Sequence, residues 1–430
     1  MSERPLKVLS VCASDSSGGA ARAAYRIHLA VRDLGVDSHM FVKEKRTEDD
    51  KVIALQEFIP SNSFYRVFDW IRNKIKNKWQ HLVWSRYPNR SDYYMSDLRS
   101  TDIHGALKKI DYEVLHLHWI NQRFLPLDRL PEDTPIIWTL HDCWPFCGVC
   151  HYFNDCNRYQ FQCGQCPMLG STRENDMSRL IWRRKSKWYS RRRFHIVTPS
   201  QWLAECARSS SLLGAFPVSV IPNCIDTHSF RPLEESEVSS QWLSFQKLKK
   251  HTNILLYGAM NALVDKRKGY SYLLSALTIL KEHDSDLSYE LVVFGGDKSM
   301  DDLSGLIQIH HIGYVNNSKD LVSLYNCASL MLVPSLSENL SCTIMESLSC
   351  GTPVIAFNIG GNGDMIDHQE NGYLAKEYDS EDFANGIRWC LENNKDGHLS
   401  RNARKKVLEN YTPEIVGKQY ADLYSSLRKP

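Results

Sequence analysis

The fold class follows from three neighbouring segments of the chain: Leu330-Met-Leu-Val-Pro334, Glu338-Asn-Leu-Ser-Cys-Thr-Ile-Met-Glu346 and Gly351-Thr-Pro-Val-Ile-Ala-Phe357. An apolar run, a polar loop, a helical pattern, a glycine stop and a second apolar run follow one another. This order predicts strand, loop, helix and strand, the unit of a parallel α/β sheet. Ligands bind such sheets at the carboxyl ends of the strands, where helix N-termini offer N–H groups to anions. The segment therefore indicates a place to hold a phosphorylated sugar.

The same alternation runs through the whole chain and predicts two doubly wound, Rossmann-like domains facing each other across a cleft. We expect an N-terminal acceptor-side domain over 1–222, a nucleotide-sugar donor-binding domain over 223–410, and a final helix over 411–430 that crosses back to the first domain. Strands are expected at 6–12, 38–42, 114–119, 136–140, 196–198, 218–221, 254–257, 290–294, 309–315, 330–333 and 354–357, and helices at 20–34, 269–281 and 413–427.

Bulk properties limit the class of protein. The chain has 430 residues and a net charge of +2, which gives no general attraction to nucleic acid. The charged start precedes only a short apolar run, Val8 to Val11, and no apolar run approaches the ~20 residues that span a bilayer. We expect a cytoplasmic protein. Thirteen cysteines then suggest thiol or metal chemistry more than a disulfide framework.

The two glutamates have complementary candidate tasks. Glu346, within the predicted helix, can reach a ribose diol, and Glu338, in the loop, can reach sugar hydroxyls. The N–H groups of Asn339 and Leu340 can meet phosphate oxygens. The alternative is that both glutamates are solvated or favourable to the helix dipole.

Two further loops follow predicted strands. Gly18-Gly19 lets the backbone approach a ligand closely, although a full G-x-G-x-x-G pattern is absent. Lys266-Arg-Lys268 precedes a helix. Cations are unfavourable beside the positive end of the helix dipole unless a bound anion offsets their charge. Either loop alone is more often an ordinary solvated turn.

In combination these marks resemble a retaining GT-B glycosyltransferase of family 4, over nearly the whole chain. The most specific mark is the E-x7-E motif from Glu338 to Glu346. The others are Ser17-Gly-Gly19, Thr139-Leu-His141-Asp142, Ile221-Pro-Asn-Cys-Ile-Asp226 and Arg267-Lys268-Gly269.

The resemblance implies a role for each motif. His141 would contact the transferred sugar, Lys268 would bind the pyrophosphate and stabilise the leaving group, and Glu338 would hold sugar hydroxyls. No metal is required for catalysis, and no protein general base is named because the leaving phosphate can take the acceptor proton. The remaining donor-binding positions are Gly18 and Gly19 near the phosphate, Arg267, Asn339 and Leu340 near the diphosphate, Glu346 at the ribose, and Tyr314 and Val315 beside the base.

Two positions depart from the family pattern. The family usually has an arginine just after the glycine that corresponds to Gly258, where this chain has Ala259 and Met260, so Arg267 is the candidate replacement. At the linker, Cys224 stands where the family usually has glycine, and a Cβ there penalises positive φ.

A cysteine-rich insert over 143–170 follows the His-Asp motif and is similar to inserts in one branch of the family. Cys163-Gly-Gln-Cys166 has the C-x2-C spacing of zinc knuckles, and with Cys150 and Cys156 it can form a tetrahedral structural zinc site. Buried free thiols or a disulfide are the alternatives. A catalytic zinc is less expected, because four thiolates leave no open position.

Two segments, 64–79 and 179–193, mix cations with aromatic residues at roughly helical spacing. Such faces lie on anionic membranes, and a lipid-diphosphate acceptor would place the enzyme at the inner face of the plasma membrane. The alternative is a surface helix whose aromatic residues pack on the core. No nucleic-acid-binding module is visible in the sequence.

The first functional hypothesis is therefore a glycosyltransferase that adds a sugar from a nucleotide-diphosphate sugar to a glycan or lipid-linked acceptor in polysaccharide biosynthesis of the capsule, exopolysaccharide or O-antigen type. A sugar-nucleotide epimerase shares the fold and is the second hypothesis. A non-catalytic nucleotide-sugar-binding protein is the third, motivated by Ala259 and Met260.

Overall fold

The computed structural model describes residues 4–58, 74–75, 78, 82, 84–89, 104–121, 124–258, 265–283, 287–296, 307–315 and 317–428. The chain forms two compact units. The first consists of Met1–Ile221 together with Gly417–Pro430, and the second of Pro222–Val416.

The first unit is a parallel sheet with helices. Its four central strands are buried along nearly their whole length, as expected for parallel strands covered on both faces, whereas the strands toward the edges are partly exposed. The strands are β1 (Lys7–Ser14), β2 (Asp37–Glu44), β3 (Val52–Ala54), β4 (Val114–Leu117), β5 (Ile136–Thr139), β6 (Phe194–Thr198) and β7 (Val218–Val220), and the helices are α1 (Gly19–Asp33), α2 (His104–Leu107), α3 (Met177–Tyr189) and α4 (Gln201–Ser209).

The strand order in this sheet is β3-β2-β1-β4-β5-β6-β7, so the direction of winding reverses between β1 and β4. Val8 pairs with Val114 on β4, and Leu115 on β4 pairs with Ile136 on β5. The carboxyl ends of β1, β4 and β5 therefore meet at one edge of the sheet.

The second unit repeats this design with a shorter sheet. Its strands are β8 (Asn253–Gly258), β9 (Tyr289–Phe294), β10 (Ile309–Gly313), β11 (Leu330–Val333), β12 (Val354–Phe357) and β13 (Gly372–Ala375). Its helices are α5 (Leu243–Leu248), α6 (Tyr270–His283), α7 (Ser318–Cys327), α8 (Cys342–Ser349), α9 (Asn362–Met365), α10 (Ser380–Asn393) and α11 (His398–Asn410), and α12 (Pro413–Leu427) follows and runs into the first unit.

Side chains of the second sheet alternate between two cores. Leu256 of β8 and Met331 of β11 pack in one cluster with residues of α7, α8 and α11. Leu255 and Leu332 point to the opposite cluster, with residues of α6 and α10. This alternation follows from the two-residue period of a strand, and it confirms the predicted doubly wound architecture for this unit.

The predicted strands and helices agree with the structure to within about two residues at each end. Two short strands, β3 and β13, were missed. Each pairs at an edge of its sheet and contains only three or four residues. Such short segments carry little periodic signal.

The C-terminal helix α12 packs its aromatic side chains on the first unit. Tyr420 and Tyr424 are 0% exposed. The Tyr424 hydroxyl lies 2.7 Å from His116 Nδ1, and the Tyr420 hydroxyl lies 3.0 Å from Thr139 Oγ1. Because β4 and β5 contribute these two partners, α12 is tied to the centre of the first sheet.

The turn before α6 needs glycine. Gly269 has φ +68°, and a Cβ added there would lie 1.8 Å from the carbonyl oxygen of Pro334. Gly313 has a similar φ of +72° but nothing within 4 Å of its added Cβ. Substitution of each glycine by alanine therefore distinguishes the cost of the backbone conformation, present at both positions, from the cost of a steric clash, present only at Gly269.

We predict that Gly269→Ala lowers the free energy of unfolding by more than about 3 kcal/mol, since a backbone atom must move in addition to the roughly 1–2 kcal/mol cost of positive φ. Gly313→Ala should cost only that smaller amount. Urea denaturation followed by circular dichroism measures both. Equal losses for the two variants would contradict the close approach to Pro334.

Candidate functional site

The loop after β11 lies at the topological switch point of the second sheet. The strand order is β10-β9-β8-β11-β12-β13, so β8 and β12 flank β11 and the winding reverses between β8 and β11. All three strands are parallel, and their carboxyl ends lie at the same edge. This edge is where ligands bind in open α/β sheets.

Two glycines fix the path of this loop. Gly269, after β8, packs directly on the carbonyl oxygen of Pro334, and Gly360, after β12, packs on that of Glu338. A Cβ at either glycine would lie 1.8 Å from the carbonyl oxygen that it faces. In addition, the Leu336 N–H donates to the Arg267 carbonyl at 2.7 Å. The loop that carries Glu338 is therefore held by backbone contacts from both neighbouring strands.

This arrangement brings Lys268 and Glu338 together, as the sequence motifs imply. Lys268 Nζ lies 2.5 Å from Glu338 Oε1, and the two side chains are 22% and 11% exposed. The pair is thus partly shielded from water but still reachable. Such a charge-assisted bond is stronger than a fully exposed ion pair.

Arg267 has a different partner. Its guanidinium makes a bidentate contact with Asp265, at 2.6 Å from Nη2 to Oδ2 and 3.1 Å from Nε to Oδ1. The charge that was expected to replace the family arginine is therefore already matched by a carboxylate. Ala259 and Met260, which raised this question, lie outside the described residues.

Glu346 lies within α8, as predicted, but is more deeply buried than its expected contact with a ribose suggests. The residue is 1% exposed, and Tyr325 donates its hydroxyl to Glu346 Oε2 at 3.2 Å. Buried carboxylates are rare unless they are hydrogen-bonded. Its role as a ribose ligand stays a prediction.

The other predicted donor-binding residues of this unit lie on two loops. Asn339 and Leu340 precede α8 and are each 7% exposed, and the Leu340 side chain belongs to the core. Tyr314 and Val315 follow β10. Tyr314 is 52% exposed, whereas Val315 packs partly against the core.

In the first unit, Gly18 and Gly19 lie at the start of α1. Gly18 is the N-cap residue with φ 88°, and nothing lies within 4 Å of an added Cβ. The loop before it is anchored by buried Asp15, which accepts hydrogen bonds from the backbone N–H groups of Arg46 and Thr47. An open backbone at a helix N-terminus is suited to bind an anion.

His141 follows β5, and it contacts a second histidine that follows the adjacent strand β4. His118 Nδ1 and His141 Nε2 are 3.1 Å apart, and the rings stack with centroids 5.4 Å apart. Burial lowers the pKa of His141 to about 4, so the ring is neutral at physiological pH. A neutral imidazole can donate one hydrogen bond and accept another.

The neighbouring Asp142 organises the start of the cysteine-rich insert. Its carboxylate accepts from Trp119 Nε1 at 2.8 Å and from the Trp144 N–H at 2.9 Å, and it lies 2.7 Å from His151 Nδ1. Burial opposes its ionisation, but the nearby His151 and these hydrogen bonds hold the pKa of Asp142 below its usual value.

The structure gathers five of the six cysteines of the insert around one small cavity. The cavity has about 10 Å³ of free space, enough for one water-sized guest, and is lined by Cys147, Cys150, Cys156, Cys163 and Cys166. Cys147 was missing from the predicted ligand set, although Cys147-Gly-Val-Cys150 repeats the C-x2-C spacing. Within the described ranges, no group of three or more His, Cys, Asp and Glu side chains is arranged to hold a metal ion.

The basic segment 179–193 lies mostly on α3, and its cations divide into two groups. Lys185 is 0% exposed and donates to the Cys147 carbonyl at 2.8 Å, and its Nζ lies 3.6 Å from the centroid of the Trp144 ring. Arg179 and Arg192 are also buried and bind backbone carbonyls. Arg183, Lys187, Arg191 and Arg193 are exposed.

The buried cations stabilise the insert and the core, which favours the packing interpretation for that part of the segment. Membrane contact stays a prediction for the exposed cations. Most of segment 64–79 lies outside the described residues. Across the parts of the chain that the structure describes, no helix combines the length and the apolar character needed to cross a bilayer.

Comparison with known proteins agrees with these motifs. The family model Glycosyltransferase Family 4 matches residues 17–229, and the model Glycosyl transferases group 1 matches residues 240–406. The chain belongs to the family 4 glycosyltransferases. The predicted membership of family 4 is thereby confirmed.

Curated relatives of this glycosyltransferase match over part of their length. A D-inositol 3-phosphate glycosyltransferase of Saccharomonospora viridis is 32% identical over 32% of this chain and 35% of its own. An Escherichia coli UDP-Gal:alpha-D-GlcNAc-diphosphoundecaprenol alpha-1,3-galactosyltransferase is 24% identical over 48% of this chain and 54% of its own. The chain thus spans about half or less of the length of these relatives.

Solved structures share the GT-B fold over nearly the full chain. Sucrose-phosphate synthase from Thermosynechococcus elongatus has a TM-score of 0.63 at 19% identity and covers 98% of this chain and 99% of its own. The Anabaena protein HepE, crystallised with UDP and glucose, has a TM-score of 0.61 at 16% identity and covers 98% and 100%. At these identities the likeness shows the fold alone.

Four positions at the site were not found from the sequence. Gly360 and Gly361 follow β12 as a glycine pair after a predicted strand, a signal like that of Gly18-Gly19. Cys147 forms a second C-x2-C spacing with Cys150, and this spacing is a signal that could have found it. His118 had a weaker signal, because only the pairing of β4 with β5 brings it to His141.

The structural zinc at Cys150, Cys156, Cys163 and Cys166 stays a prediction. If this site exists, the purified protein should carry about one zinc ion per chain, because thiolate sites bind zinc tightly. Elemental mass spectrometry measures the zinc content. Cys163→Ser should then lower the zinc content, whereas Cys342→Ser in the other unit should not. A metal-free protein in which peptide mapping finds a disulfide among these cysteines would refute the zinc site.

Proposed function

We propose that this chain transfers a sugar from a nucleotide-diphosphate sugar to a glycan or lipid-linked acceptor, with retention at the anomeric carbon. The observation that carries the proposal is the Lys268–Glu338 pair at the switch point of the second sheet. A cation and a carboxylate side by side match the two parts of the donor, its diphosphate and its sugar hydroxyls.

In the proposed complex the diphosphate replaces Glu338 as the partner of Lys268. The exchange leaves Glu338 able to accept hydrogen bonds from the sugar. Because both side chains are partly shielded from water, the new interactions gain strength from the lower local dielectric. Arg267, already paired with Asp265, contributes only if that pair opens.

The reaction needs charge stabilisation more than a protein base. The bond between the anomeric carbon and the phosphate oxygen breaks as a bond to the acceptor oxygen forms on the same face of the sugar. The proton of the acceptor hydroxyl passes to the departing phosphate. Lys268 and backbone N–H groups stabilise the charge that develops on the leaving group.

Two relatives support this choice of substrates. The Escherichia coli relative is named for a UDP-sugar donor and a diphospholipid-linked acceptor, and HepE was crystallised with UDP and glucose. A lipid-linked acceptor in polysaccharide synthesis also suits the exposed cations after α3, which can face an anionic membrane. The cytoplasmic location, with contact to the inner membrane face, is part of the same proposal.

We predict that Lys268→Ala and Glu338→Ala each lower kcat/KM for transfer by roughly 10- to 150-fold, since one lost hydrogen bond to a charged group costs about 1.5–3 kcal/mol. His141→Ala should lower it by roughly 2- to 12-fold, because the lost bond joins a neutral ring to an uncharged sugar oxygen and costs about 0.5–1.5 kcal/mol. Lys266→Ala is the matched control, because Lys266 is an exposed cation two residues from Lys268. It should change kcat/KM less than threefold.

The assay uses a panel of nucleotide sugars, with product analysis for transfer, hydrolysis and anomeric configuration. Full activity of all three variants would overturn the assigned roles. Formation of a 2-epimer without acceptor would instead identify an epimerase, and donor binding without turnover for every acceptor would favour the non-catalytic alternative.

A further inference from the structure

Three histidines lie at the carboxyl ends of β4 and β5 and contact one another. His116 and His118 are on or directly after β4, and their ring centroids are 4.0 Å apart. His118 in turn contacts His141, which follows β5. His116 and His118 are 0% and 2% exposed. Burial lowers the pKa of His116 to about 3 and that of His118 well below its usual value, so both rings are neutral.

His118 has one nitrogen in a hydrogen bond and one without a partner. Its Nδ1 lies 3.1 Å from His141 Nε2. Its Nε2 is buried and has no hydrogen-bond partner among the described residues. Since a neutral imidazole carries one proton, the position of that proton decides which atom is left unsatisfied.

The two possible arrangements differ in cost. If His141 donated from Nε2 to His118 Nδ1, the proton of His118 would have to be on Nε2, leaving a buried N–H donor without an acceptor. If His118 donates from Nδ1 to His141 Nε2, only a lone pair on His118 Nε2 is unsatisfied. Orphaned buried N–H donors are rarer in proteins than under-satisfied acceptors. The second arrangement is therefore favoured.

The surrounding structure holds the His118 backbone, and its ring packs against the ring of His116. The His118 N–H donates to the Val11 carbonyl at 2.9 Å, and Trp138 Nε1 donates to the His118 carbonyl at 3.1 Å. The adjacent His116 ring is itself fixed at both nitrogens, by the Tyr424 hydroxyl at 2.7 Å and Thr139 Oγ1 at 2.8 Å. Helix α12 thus supports the histidine pair through Tyr424.

From this geometry we propose that His118 is a positioning residue that fixes His141 as the tautomer with the proton on Nδ1. The half-buried His141 ring then presents an N–H donor, and it recognises an acceptor oxygen of the transferred sugar. This inference rests on the proposed function for the use of that donor, but the tautomer itself does not depend on it.

The direct test is nuclear magnetic resonance of the full-length protein labelled with 15N at histidine. Long-range 1H–15N correlations distinguish a protonated from an unprotonated ring nitrogen, and comparison with His141→Ala assigns the signals of His141. We expect a protonated Nδ1 and an unprotonated Nε2 in the unmodified protein. A protonated Nε2 on His141 would overturn the inference.

Two substitutions at His118 test the positioning role. His118→Asn keeps an N–H donor near the position of Nδ1, whereas His118→Phe keeps a ring but removes the donor. His141 should keep its tautomer in the Asn variant and lose it in the Phe variant. With the donor that the nucleotide-sugar panel identifies, kcat should fall less than twofold for Asn and about as far for Phe as in His141→Ala, with KM nearly unchanged.

The melting temperature of each variant controls for loss of fold. Equal kcat for two folded variants that differ in the His141 tautomer would refute the positioning role. A protein without transfer activity toward any donor would contradict the proposed function, and the resonance experiment would still decide the tautomer.

Discussion

The close approach of three backbone segments at the switch point of the second sheet is the constraint on which the candidate site depends. Pro334 and Glu338 each have a carbonyl oxygen packed against a glycine, Gly269 on one side and Gly360 on the other. No residue with a Cβ fits at either glycine without moving the backbone. The loop is therefore fixed before any ligand arrives, and Lys268 and Glu338 meet because their strands are neighbours. Such preorganisation is what a charge-stabilising site requires.

In the first unit, side chains and not close backbone contacts surround the candidate residue. His141 lies at a strand end and contacts His118, whose ring packs on His116, and His116 in turn contacts hydroxyl groups from α12 and β5. Helix α12 thus contributes to the candidate site of the first unit, although the second unit lies between this helix and the rest of the first unit in the sequence. Its two buried tyrosines explain why this contact is stable, since a buried hydroxyl needs a partner and finds one here.

Much of this organisation was predictable from the sequence. Buried parallel strands appear as continuous apolar runs, so both sheets and the positions of Glu338, Lys268 and His141 after their strands followed from the pattern. The pattern gives no information on which strand ends are neighbours in space, and so it missed His118 and Gly360. It also did not predict that Glu346 is buried or that Arg267 pairs with Asp265. Burial and ion pairing are set by tertiary packing, which a local pattern does not contain.

In the proposed function, Lys268 and Glu338 receive the diphosphate and the sugar of the donor. A crystal structure of the protein with UDP tests it most directly. We expect a phosphate oxygen about 3 Å from Lys268 Nζ and a broken contact between Lys268 and Glu338. A structure in which UDP binds elsewhere while the Lys268–Glu338 pair stays closed would contradict it.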